Sequence, residues 1–125
     1  MSRRVDWGPV AARVLLGLVF AWFGYHELWQ PRLWTGYVPA VSSTSGLAVW
    51  AVLAHGFLLL IVAAALLFGI APRLASWVGV IVMVEVVLSL VILHGLSDIT
   101  VRDVGVLGLA LALATQRRHP LALTR

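Results

Sequence analysis

Two ionisable residues stand where few belong. His55 and Glu85 each sit in the middle of a long apolar run. Counted outward from the break at Ala71, His55 lies 16 residues up one run and Glu85 14 residues up the next. At about 1.5 Å per helical residue their heights differ by roughly 3 Å. Antiparallel neighbours therefore bring an imidazole and a carboxyl into hydrogen-bond range. A charge at the centre of a bilayer costs at least about 2.5–3.5 kcal/mol, so a neutral Glu85 donating to a neutral His55 is a low-cost arrangement. The same pair binds a carbonyl or passes a proton. Ser89, one turn beyond Glu85 on the same face, and Trp22, at similar depth in the first run, complete an expected ligand set for a quinone head. The imidazole and carboxyl would meet its oxygens and the indole its ring. The competing reading is an interhelical hydrogen bond worth about 0.6 kcal/mol that only fixes packing.

The other ionisable residues gather at the ends of the runs away from Ala71: His26, Glu27, His94, Asp98, Arg102 and Asp103. With His55 and Glu85 they predict a polar funnel open to the outside. Imidazole and carboxylate suit zinc or a similar ion, but no paired spacing within one helix sharpens that, so no metal site is assigned and these residues read as interfacial. Nothing marks a haem pocket around His26 and His94. Thr100 with Asp103 reads as a helix-capping pair, and Arg102 as a side chain that snorkels or pairs with Asp98. The absence of cysteine excludes disulfides, thiolate metal sites and iron–sulfur clusters. No phosphate loop or nucleotide fingerprint is present.

The elements that must position these groups follow from composition. The chain has 125 residues, 62% hydrophobic and 11% charged, with a mean hydropathy of +1.01. Ordinary soluble domains carry about twice that share of charge, and disordered chains are less apolar still. A membrane helix needs roughly 20 apolar residues, and four runs meet or approach that: 8–29, 46–69, 73–94 and 101–116. They predict an all-α fold, an integral membrane antiparallel four-helix bundle forming one transmembrane domain over 1–125. Ser42 to Ser45 supply candidate caps for the second helix. Gly17 and Gly24 on the first span, and Gly105, Gly108 and Ala112 on the fourth, read as surfaces for close helix packing.

Orientation follows from arginine. Arg3, Arg4, Arg13, Arg73, Arg117, Arg118 and Arg125 fall on one side, Arg32 and Arg102 on the other, which predicts both termini in the cytoplasm. Ser2-Arg3-Arg4 resembles the start of a cleaved leader, but no small-x-small site follows the first run. The net charge of +4 comes from arginines at segment ends and is not a nucleic-acid stripe. Arg117, Arg118 and Arg125 read as topology determinants, or as a dock for an acidic partner or anionic lipid. The aromatic loop from Trp29 to Tyr37 reads as a headgroup-level anchor or a lid on the funnel.

The first span and its exit, ARVLLGLVFAWFGYHELWQPRLWTGYVPA, resemble the DoxX-like family of small bacterial membrane proteins. The matching positions are Arg13, Leu16, Gly17, Phe20, Trp22, Gly24, His26, Glu27 and Pro39. The resemblance implies a four-helix bundle in the bacterial inner membrane and an association with redox assemblies, including membrane subunits of thiosulfate:quinone oxidoreductase. It transfers no catalytic residue. The expected function is a subunit of an electron-transfer assembly, in contact with other membrane or redox subunits or with further copies of itself, holding a quinone or another small lipophilic ligand. The alternative is a non-catalytic scaffold in a larger membrane complex. A transporter fits less well, because the cytoplasmic half offers no polar path.

Overall fold

A computed structural model describes residues 6–39 and 41–124. Arg3, Arg4 and Arg125, which enter the charge count above, lie outside the described residues. Four helices are present: α1 (Trp7–Trp29), α2 (Gly46–Phe68), α3 (Pro72–His94) and α4 (Asp98–Ala114), with two single-turn 3₁₀ segments, Pro31–Leu33 and Thr35–Tyr37, in the first loop. No strand occurs among the described residues.

Local chemistry sets most boundaries. Asp6 caps α1 by accepting from the Gly8 N–H, and Ser45 caps α2 by accepting from the Ala48 N–H. Gly69 ends α2 in the left-handed region at φ 70°, where an L side chain is strained. Pro72 then opens α3 at its first turn, the position where a missing N–H is harmless. The fourth helix departs from expectation. It starts at Asp98, capped by Ser97, which accepts from the Thr100 N–H. Thr100 is not a cap but a fully buried residue inside the helix, donating to the Gly95 carbonyl.

Packing is pairwise. The largest helix contacts are α1 on α2 and α3 on α4, with smaller ones joining α2 to α3 and α1 to α4. On α1 the buried residues Arg13, Leu16, Gly17, Phe20, Gly24 and Glu27 form one stripe at helical spacing. Gly24 lies against Gly56 of α2, and a Cβ there would sit 2.8 Å from the Gly56 carbonyl oxygen. Gly17 lies against Ala63 and Leu67 in the same antiparallel register. Phe20 reaches across the core to Gly79 of α3. Gly105, Gly108 and Ala112 depart from expectation. They face outward, and a Cβ added at either glycine would meet nothing within 4 Å, so they do not pack helices within this chain.

The outer surface is apolar. Leu18, Trp50, Phe57, Ile61, Ile81 and Ile92 are all exposed, a pattern that water does not favour over so wide an area. Three helices, α1, α2 and α3, are long and apolar enough to cross a membrane, which marks a multi-pass membrane protein in a lipid bilayer. With 17 residues, α4 is about 25 Å long, shorter than a typical hydrocarbon core.

After α4 the described residues 115–124 fold back over the α2–α3 turn. Thr124 donates its N–H to Gly69 and accepts at its hydroxyl from the Ala71 N–H. Arg13, only 3% exposed, donates to the carbonyls of Leu66, Pro120 and Leu121 at 2.8, 3.3 and 3.1 Å. Arg73 donates to Gln116 and Arg117. Arg13 is thus a buried strut as well as a charge at a helix end.

Candidate functional site

The close approach of α1 and α2 builds the site. With Gly24 against Gly56, the residue one turn on, Glu27, is brought beside His55, the residue before Gly56. Glu27 is 6% exposed, and His55 Nδ1–H donates to its Oε1 at 2.7 Å. With Glu27 ionised, its carboxylate only accepts and Nδ1 carries the hydrogen. That leaves His55 Nε2, which is buried and has no hydrogen-bond partner among the described residues.

The dyad lines a cavity of about 280 Å³ between the two helix pairs, at the end of the molecule that carries the first loop. Its walls are mainly apolar, with Phe20, Phe23, Leu59, Met83, Val86 and Leu90 among them. The polar groups divide between the pairs: Glu27 and His55 on one side, Glu85, Ser89, Arg102 and Asp103 on the other. Asp103 is buried and accepts from Arg102 Nε at 3.2 Å. The Arg102 guanidinium also lies 5.3 Å from the centroid of Phe23 on α1, a cation–π distance that bridges the pairs. Trp34 and Tyr37 from the first loop complete the wall, Trp34 standing edge-on to Phe23 at 5.8 Å. The loop therefore covers part of the cavity.

The cavity brings together His55, Glu85 and Ser89 of the expected ligand set, but not the expected hydrogen bond. His55 bonds Glu27 rather than Glu85. The height count treated α2 and α3 as the contacting pair, whereas the glycine contact makes α1 the nearer neighbour. Glu85 stays on the cavity wall, exposed, and belongs to neither of the two ion pairs among the described residues, His55–Glu27 and Arg102–Asp103. Trp22 does not line the cavity. It is 64% exposed on the outer face, with its ring 4.2 Å from that of His26.

The polar set at the helix ends also separates. Glu27, Arg102 and Asp103 reach the cavity, while His26, His94 and Asp98 do not. His26 Nδ1–H donates to the Trp22 carbonyl at 2.7 Å. His94 is exposed beside Tyr37, with ring centroids 5.2 Å apart, and Asp98 is exposed in the first turn of α4. Sequence reasoning missed the pairing of Glu27 with His55. The signal for it was present: each residue adjoins, or follows by one turn, a glycine that permits backbone contact.

Searches of family models, curated proteins and solved structures gave no match to this chain. None of these comparisons identifies a DoxX-like family.

Proposed function

We propose that this protein is a four-span subunit of a membrane electron-transfer assembly that binds a quinone, or a lipophilic ligand with similar oxygen chemistry, in the cavity between its helix pairs. The observation that carries this reading is the Glu27–His55 dyad with an unspent imidazole nitrogen on an otherwise apolar cavity. Such a ring accepts from a quinol hydroxyl through Nε2, or donates to a quinone carbonyl once protonated. Glu85 and Ser89 offer polar contacts from the opposite wall, and the apolar walls suit a ring and its substituents. The chain supplies no redox centre in this reading, so electrons come from a partner subunit. The arginine bias supports termini in the cytoplasm, a cavity open to the outside and a bundle of four antiparallel spans. The DoxX-like resemblance supports a bacterial inner membrane.

The test is organic extraction and mass spectrometry of the purified full-length protein. The expected result is a co-purifying quinone, retained about tenfold less by His55→Leu, which removes the one hydrogen bond made through Nε2. Unchanged retention in Glu27→Gln and in His55→Leu would overturn the reading.

A second reading is favoured by α4. Its outward Gly105 and Gly108 leave a smooth strip open to a neighbouring helix, as a non-catalytic scaffold in a larger membrane complex would need. A larger protein co-purifying without any quinone would support it.

A further inference from the structure

Buried polar atoms find hydrogen-bond partners in about nine cases of ten or more, so those without one call for a reason. Four buried side-chain nitrogens among the described residues lack a partner: His55 Nε2, Arg13 Nε, and both His119 Nδ1 and His119 Nε2. The first belongs to the cavity. The other three gather at the opposite end of the molecule, where the tail crosses the α2–α3 turn.

At that end charge is not matched by acid. The Nη groups of Arg13 and Arg73 donate only to backbone carbonyls, and neither arginine takes part in an ion pair among the described residues. Asp6 is the acid described here, and it accepts from the Gly8 N–H as the cap of α1. The first turn of α3 also opens at this end with no side-chain cap, which adds partial positive charge. His119 is half-buried in the tail, one residue before a carbonyl that Arg13 holds. Burial first, then the charges of Arg73 and Arg13, keep its ring below the ordinary imidazole range. A neutral ring with two unspent nitrogens therefore lies near two guanidinium groups that have no carboxylate partner among the described residues. An anionic oxygen fits this set: it accepts from the one N–H of the neutral ring, or from either nitrogen once the ring is protonated, and balances both arginines.

We propose that Arg13, Arg73 and His119 form a phosphate-binding site at the α2–α3 turn, separate from the cavity. Arg73, Arg117 and Arg118 are exposed around it, so a ligand approaches from their side. The phosphate is either the headgroup of an anionic phospholipid or free inorganic phosphate, and the chemistry is the same for both.

The test is the titration of the histidine rings by NMR in the full-length protein. The protein is held in nanodiscs of phosphatidylcholine, in the same discs with inorganic phosphate added, and in discs containing phosphatidylglycerol. His26 and His94 report the general surface potential at the other end. The expected result is a rise in the His119 pKa of about one unit over any change at His26 and His94, the size a nearby opposite charge produces. Arg73→Gln should remove most of that excess. A selective rise with inorganic phosphate identifies a free anion, and one with phosphatidylglycerol alone identifies a lipid headgroup. Equal rises at all three histidines, or none at His119, would overturn the proposal.

Discussion

The two ends of the molecule treat arginine in opposite ways. At the loop end Arg102 stays exposed, pairs with the buried Asp103 and lies over the Phe23 ring. At the turn end Arg13 is buried and bonds only carbonyls. The first arrangement leaves a cavity beside a neutralised charge. The second packs the tail against the guanidinium and uses the charge as a tie. A guanidinium is thus part of a cavity wall where a carboxylate meets it, and a structural brace where only backbone does.

Breaking the brace should have the larger effect. Arg13→Met removes three charge-assisted hydrogen bonds, leaves three carbonyls short of a donor, and should cost about 3 kcal/mol or more. The expected outcome is a lower thermal midpoint in detergent and protease cleavage within residues 115–124, while Glu27 and His55 keep their contact. Cleavage no faster than in the parent chain would show that the tail is held by other means.

Breaking the loop end should do less to stability and more to the cavity. Gly56→Leu places side-chain atoms where a Cβ alone would already lie 2.9 Å from Glu27 Cβ and 3.1 Å from the Gly24 oxygen. Overpacking of this kind costs about 1–3 kcal/mol. Separation of α1 from α2 should also break the Glu27–His55 hydrogen bond, seen as a changed His55 ring signal by NMR. The tail should remain resistant to protease, the reverse of the outcome for Arg13→Met.

The smallest effect is a pH dependence that belongs to the turn end. The folded His119 ring has a lowered pKa, so the unfolded chain binds a proton more readily. The contribution to stability is complete above the unfolded value near 6.5 and is lost as pH falls towards the folded value. In phosphatidylcholine without phosphate, the thermal midpoint should therefore decline below about pH 6.5. His119→Gln should flatten part of that decline, and an unchanged slope would remove His119 from the account.

The helices were legible because their ends are written locally, in Ser45, Gly69 and Pro72. The start of α4 was misplaced because Thr100 and Asp103 carry a capping spacing, although Ser97 does the capping. His55 and Glu85 line one cavity, at the common height that residue counts along a helix give. Counts do not give direction around it, so the partner of His55 stayed hidden behind the Gly24–Gly56 contact. Trp22 was misplaced for the same reason, at a suitable height but on the outer face. The folded tail was not legible at all, because backbone carbonyls hold it and no side-chain pattern records them.

Glycine contact locks α1 to α2, whereas the seam between the two helix pairs is more lightly joined. The cavity thus has one clamped wall, carrying Glu27 and His55, and one wall across the lighter seam, carrying Glu85, Ser89 and Arg102.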